Sequence, residues 1–366
     1  MKKIMIVIVL GLLLIPTFPL SAENLDKTQI ENILPTYFSW QNIDGTDYTT
    51  PIKDQSPAPT CEAYALVASL ETIIQYQIKE TFEPDLSETH LYFYAGGTYE
   101  AGYVNLIDAA NYLIDYGVPD EGCYPDPHRA YDYPFESLPG WEDRTVRIQS
   151  WGWIDHDIDS IKNALIEYGP LVVCISFPVD FFYYTGGVYS PKWGKHGGGH
   201  VVSLVGYDDE NECWILKNSW GTSWGEDGWF RLAYDADIFA KWYGEHTGVM
   251  YLDGAYGNFK PDVPKVQIKR PKFYHTYLFG KQFPTLIKKL PVPKAAARIF
   301  GDLNVEVNAE NTNKVEFYID EELLSTDEEA PFTCQLQSSR GYHTLKILAS
   351  NDTNESIDIE DFFVFF

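Results

Sequence analysis

Three stretches of the chain carry apolar residues at helical spacing, and two later tracts carry them in the runs and alternations of strands. Between 61 and 79, Ala63, Leu66, Val67, Leu70 and Ile74 fall on one face, which predicts a helix. The segment 104–115, "VNLIDAANYLID", predicts a second, stopped by Gly117 and Pro119. A third spans 157–169, "DIDSIKNALIEYG", with Asp157 suited to its N-cap and Gly169 to its C-cap. Strand-like runs follow in "PLVVCISF", "HVVSLVGYD", "ECWILKNS" and "GWFRLAY", punctuated by Gly and acidic turns. Helices first and strands later predict an α+β domain of two segregated lobes over 51–255. From 271 to 366, short alternating strands such as "NKVEFYID" and "GYHTLKILAS" predict an all-β sandwich, its first strand starting as early as "KFYHTYLF".

The remaining segments are read from composition. Residues 1–22 combine Lys2 and Lys3, an apolar run from Ile4 to Ile15 and the small-residue end "PLSA", which predicts a secretory signal cut after Ala22. That run is short for a bilayer span, which needs ~20 residues, so an uncleaved anchor is the lesser reading. The expected protein is secreted or held at the cell surface, with no membrane span after signal removal. Residues 23–50 form a short polar lead-in, and 256–270 a basic, Pro-containing linker. Across 256–298, ten Lys or Arg face the single acid Asp262 in a chain whose net charge is −26. Docking of this stretch on its own acidic domain is the expectation. The overall acidity opposes nucleic acid or anionic lipid as a partner.

Five cysteines, Cys61, Cys123, Cys174, Cys213 and Cys334, leave at least one unpaired within the molecule. Cys174 lies in an apolar strand and reads as a buried, inert thiol. No Cys or His spacing suggests a metal, and no cofactor is expected. Cys61 is different, because the predicted helix begins at it and a helix N-terminus lowers a thiol pKa. His200 opens an apolar strand behind three glycines, 139 residues after Cys61, inside the ~130–150 window known for cysteine–histidine pairs of one peptidase type. His196 is the rival, but on this reading no strand holds its ring. Asn218, at the end of "WILKNS", can accept a hydrogen bond from the far nitrogen of His200 and fix its tautomer. Trp220 can cover that bond and exclude water.

With these pieces in order, "PIKDQ", Cys61, "GVPDEGCYP", "GGVY", "GHVVSLVGYD" and "KNSWGTSWGEDGWFRL", residues 48–250 resemble the papain-like cysteine peptidases. The resemblance implies a two-lobed papain-like fold, a helical lobe and a β-barrel lobe. It also implies a nucleophile at Cys61, a general base and acid at His200 and an orienter at Asn218. Gln55, six residues before Cys61, would complete an oxyanion hole with the Cys61 N–H. The implied activity is endopeptidase hydrolysis of a protein or peptide through a thioester. The rival readings are a peptide-binding or adhesive homologue that does not cleave, and a transglutaminase-type acyltransferase, which would normally carry Asp where Asn218 stands. The C-terminal region resembles the immunoglobulin-like modules of secreted prokaryotic hydrolases, which bind a cell surface or polymer or space the enzyme from it.

The chain also departs from the family pattern. Pro59-Thr60-Cys61-Glu62 stands where Gly-Ser-Cys-Trp is usual, so a glutamate replaces an aromatic residue beside the nucleophile. That carboxylate should raise the thiol pKa. Ala58 replaces a usual cysteine, and Gly199 a usual Asn or Asp. The glycines that would bind the substrate backbone remain open between Gly96-Gly97 and Gly102. The lead-in is shorter than the prosegments that fold over such clefts. Asn351 and Asn354 lie in N-x-S/T sequons.

Overall fold

The computed structural model describes residues 34–80, 82–98, 100–126, 136–240, 248–259, 261–284 and 296–366. The signal at 1–22 and residues 23–33 of the lead-in lie outside them. The described residues from Thr36 to Phe366 form one compact unit.

The three predicted helices form, as α1 (Cys61–Ile78), α3 (Leu106–Asp115) and α4 (Ile158–Tyr168), with a short α2 (Glu88–Tyr94) between the first two. Their ends obey local chemistry. Asn105 caps α3 by accepting from the Ile107 and Asp108 N–H groups, and Asp157 caps α4 by accepting from Ser160 N–H. Gly169 ends α4 at φ +117°, where a Cβ would also lie 2.7 Å from Ile73. Helix α2 shows no long apolar period and is set instead by its cap, Ser87, whose Oγ accepts from His90 N–H at 3.0 Å. The buried faces of α1, α2 and α3 make one core with Val146, Ile148, Cys174, Val201 and Leu252.

The second lobe is a sheet of eight strands. These are β1 (Tyr37–Ser39), β2 (Val146–Trp153), β3 (Leu171–Pro178), β4 (Val188–Tyr189), β5 (His196–Asp208), β6 (Cys213–Lys217), β7 (Trp229–Ala233) and β8 (Val249–Gly257). The order is β2-β8-β3-β5-β6-β7-β4, with β1 paired to β5. Its core gathers Phe177, Phe181, Val202, Leu204, Trp214, Leu216 and Phe230. Residues expected as a lead-in take part in it. Phe38 pairs with Tyr207, and Trp40 is buried with its Nε1–H on Leu165 O at 3.1 Å. The packed domain therefore begins before residue 51.

The C-terminal part is a two-sheet β structure with strands β9 (Lys265–Arg270), β10 (His275–Leu278), β11 (Lys281–Pro284), β12 (Ala297–Phe300) and β13 (Asn304–Glu310). It continues through β14 (Lys314–Ile319), β15 (Glu322–Asp327), β16 (Thr333–Gln335), β17 (Gly341–Ser350) and β18 (Glu355–Val364). One sheet runs β11-β10-β12-β18-β17-β14-β15 and the other β16-β13-β9, with Ile268, Tyr277, Val305, Phe317, Ile347 and Phe362 between them. Strand β9 falls inside the stretch expected to be a linker. It pairs with β13 and buries Ile268, so it is part of the β domain.

Arg144 joins the two domains. Its guanidinium donates to Asp120 Oδ2 at 2.7 Å and Oδ1 at 2.5 Å, and to Glu355 O at 2.6 Å across the joint. Ser356, beside it, is fully buried, and Asn354 Nδ2 donates to Asp262 O at 2.8 Å, so that sequon is engaged in the joint. Arg144→Met is expected to destabilise the protein by about 1.5–3 kcal/mol, the range for hydrogen bonds to charged groups. The change should appear as a lower urea midpoint; an unaltered midpoint would show that Arg144 does not secure the joint.

Candidate active site

Cys61 is the first residue of α1, behind an irregular turn that ends at the N-cap Thr60. Helix α1 lies against β5, tied there by the Ser69 and Ser203 hydroxyls at 2.8 Å. Strand β5 carries His200, opposite Ile175 of β3, and Val201, opposite Cys174. The strand starts four residues earlier than the apolar run indicated, at His196, because Gly199, Gly198 and His196 pair with Ser176, Phe177 and Pro178 of β3, with a register shift at Gly197. His196 is thus held by a strand after all, but it is exposed, with Nδ1 3.2 Å from the Ser176 hydroxyl.

Asn218 follows β6, its N–H on Gly228 O at 3.1 Å. Its Oδ1 accepts from His200 Nε2–H at 2.7 Å and from Ser219 N–H at 2.8 Å. Both His200 and Asn218 are 3% exposed. The Trp220 ring stacks on the imidazole with centroids 4.7 Å apart and planes 29° from parallel. Phe182 stacks on Trp220 with centroids 5.5 Å apart, and Phe177 meets it edge-on at 5.9 Å. With Nε2 engaged by an acceptor, the imidazole keeps Nδ1 as its available nitrogen.

Gln55 is brought to the same place by backbone pairing. Its N–H donates to Ser219 O at 2.9 Å, and Gly221 N–H donates to Lys53 O at 3.1 Å. The side chain is fixed at both ends: Oε1 accepts from the Ser219 hydroxyl at 2.6 Å, and Nε2 donates to Ala58 O at 3.0 Å. One amide hydrogen is left over.

The electrostatics differ from the expectation for a thiol at a helix N-terminus. Burial, and next the Glu62 carboxylate, push the Cys61 thiol well above its ordinary range, while the Val201 N–H opposes them. Burial lowers His200 to about 4, against the hydrogen bond to Asn218. Burial thus favours the uncharged form of both the Cys61 thiol and the His200 imidazole. Among the described residues, Cys61 Sγ hydrogen-bonds to Glu62 Oε2 at 3.5 Å and not to His200.

Sequence reasoning missed the supports. Ser219 orients Gln55, and its only signal was its place after Asn218. Under the cleft, Lys53 lies 2.8 Å from Glu88 and 2.8 Å from Asp85, while Glu71 accepts from Thr50 Oγ1 at 2.6 Å. No sequence period marks that cluster. Of the glycine candidates, Gly102 opens the stretch that reaches the site, since the Val104 N–H faces Glu62. Gly97 instead abuts Tyr92. All five cysteines are free, and no group of His, Cys, Asp and Glu among the described residues could hold a metal.

The comparisons with known proteins bear on the same region. The family model of papain family cysteine proteases matches residues 34–251, and that of a bacterial Ig domain matches 290–347. The chain is 41% identical over 98 residues to cathepsin B-like cysteine proteinase 6 of Caenorhabditis elegans, covering 26% of each protein. It is 32% identical over 197 residues to digestive cysteine proteinase 1 of Homarus americanus, covering 50% of this chain and 58% of that one. The chain thus spans less than two thirds of the length of these curated relatives. The structure of digestive procathepsin L2 from Tenebrio molitor larval midgut superposes with a TM-score of 0.51 at 24% identity, covering 60% of this chain and 68% of that one, which is a likeness of fold.

Proposed function

The chain belongs to the papain family of cysteine proteases, and from that premise we propose that it is a secreted endopeptidase working through Cys61, His200, Asn218 and Gln55. The observation that carries this reading is the His200–Asn218 hydrogen bond under Trp220, with Gln55 bonded to the next residue, Ser219. A structural histidine in a sheet has no need of an oriented amide on one nitrogen and an open second nitrogen.

The chemistry runs as an acyl transfer. A substrate carbonyl sits over the start of α1. Nδ1 of His200 takes the Cys61 thiol proton as Sγ bonds to the carbonyl carbon. The negative charge passes to the carbonyl oxygen, where the Cys61 N–H and the spare Gln55 amide hydrogen receive it. The C–N bond then breaks, and the imidazolium gives its proton to the departing amine. Water, deprotonated by the same nitrogen, attacks the thioester carbon; the C–S bond breaks, the acid product leaves, and the imidazolium returns its proton to the sulfur. Asn218 holds the ring through both halves, and Trp220 keeps water off that bond. Secretion rests on the N-terminal sequence; among the described residues no helix is long and apolar enough to cross a membrane.

The test incubates the protein with a denatured protein substrate and a peptidyl epoxide under reducing conditions. Cleavage, and a label mapped to Cys61 alone, are expected. A protein that neither cleaves nor labels would leave the peptide-binding reading in its place.

A further inference from the structure

Glu62 sits one residue beyond the candidate nucleophile, where the family resemblance calls for an aromatic ring. A glutamate in the first turn of a helix ordinarily faces water and favours the helix dipole. This one does not face water: it is 8% exposed, and its Oε2 is 3.5 Å from Cys61 Sγ. Its own N–H and the Val104 N–H also point to the carboxylate. Among the described residues no cation pairs with it. The titratable neighbours are Cys61 on its own helix, Tyr92 of α2 and Cys174 of β3, with His200 next to Val201 on β5. Burial places Tyr92 above its ordinary range and Cys174 at about 12, so both are neutral at pH 7.

A buried carboxylate without a cation depends on its hydrogen-bond donors, and the thiol is one of them. The same thiol must donate to His200 if that residue is to act as base. Resting on the proposed peptidase reading, we propose that Glu62 is a positioning residue that gates the nucleophile: ionised, it holds the Cys61 S–H in a hydrogen bond that competes with transfer to His200. Protonated, Glu62 carries no charge, and its O–H can donate to the sulfur and favour the thiolate. The gate is closed at high pH and opens as the carboxylate takes up a proton. Burial sets that changeover at about pH 7, within reach of an ordinary extracellular medium. The protein thus carries a pH control on its nucleophile where relatives of the usual pattern carry an inert ring.

Alkylation of Cys61 reads the gate without requiring turnover. The rate of modification by iodoacetamide, mapped to Cys61 and corrected with Cys61→Ala, is measured from pH 5 to 10 in wild type, Glu62→Gln and Glu62→Met. The wild-type midpoint is expected above that of a free thiol, about 8.5. Glu62→Gln, which keeps shape and removes charge, is expected to lower the midpoint by at least about one pH unit, to raise the rate by severalfold near pH 8.5–9, where Glu62 is ionised, and by no more than about twofold at pH 7, where about half of it is already protonated. Glu62→Met tests the same loss of charge with an apolar group. A residue that only packs would leave the midpoint where it was. A wild-type midpoint at or below 8.5, or equal midpoints in wild type and folded variants, overturns the gate. If peptide cleavage is absent but the midpoints separate, the peptidase reading fails and the gate on Cys61 stands.

Discussion

Cys61→Ala is expected to leave no peptide hydrolysis above background, His200→Ala to lose about four orders of magnitude in kcat/KM, and the double variant to fall no further than the first. On the proposed mechanism the two side chains perform one act. The thiol is held protonated by burial and by Glu62, so it cannot attack until a base takes its proton. His200 without the sulfur has nothing to activate. Residues that act as a unit show grossly non-additive losses, and residual acceleration comes from binding and oxyanion stabilisation alone. A folded His200→Ala variant that keeps most of the wild-type kcat/KM, or a Cys61→Ala variant that still hydrolyses peptide above background, would refute a shared step. Folding is checked alongside. His200→Ala opens a space under Trp220 and leaves Asn218 Oδ1 with Ser219 N–H as a donor, so a folded protein of reduced stability is expected.

The same variant carries a pH signature. The His200 pKa is about 4 in the folded state against an ordinary 6.5, so the unfolded chain binds a proton that the folded one rejects. Wild-type stability should fall between pH 6.5 and 4 for this reason, with no contribution above pH 7. His200→Ala should flatten that slope by one proton. His90, buried among aromatic rings and lowered to about 3, keeps its own share of the acid sensitivity.

Much of this architecture was legible because the local signals agree with the packing. Helix α1 shows its apolar face at Leu66, Leu70 and Ile74, and these are the residues that fill the core. Asp157 and Gly169 bracket α4 as capping chemistry requires. Other features were decided by partners distant in sequence. Seven-residue α2 is too short to show a period, and β9 reads as a basic linker until β13 pairs with it. The His200–Asn218 pairing followed from an ordered set of residue types. The protonation state of Cys61 did not, because the helix terminus favours a thiolate while burial and Glu62 outweigh it. A charge one residue away was visible in the sequence; that it is buried was not.

Gln55→Ala is expected to lower kcat by about 10²–10³-fold with little change in KM. The donor matters most when charge gathers on the carbonyl oxygen, so its loss weighs on the transition state more than on the bound substrate. What makes Gln55 fit for this is its immobility. Ser219 Oγ donates to Oε1 at 2.6 Å, which leaves the amide nitrogen turned the other way, and Ala58 O takes one of its two hydrogens at 3.0 Å. The second hydrogen needs no reorientation when the oxyanion forms. Truncation also strips the Ser219 hydroxyl of its acceptor, a cost of about 1–3 kcal/mol in stability that melting curves read separately. Gln55→Glu separates the two effects. It keeps an oxygen for Ser219 but replaces the donor with a carboxylate that repels the oxyanion, so its kcat should fall at least as far as that of the alanine variant. Ser219→Ala frees the amide to rotate and should cost less, about tenfold. If Gln55→Ala keeps its kcat while only its melting temperature drops, the glutamine is a brace between the two lobes and the oxyanion must find its second donor elsewhere.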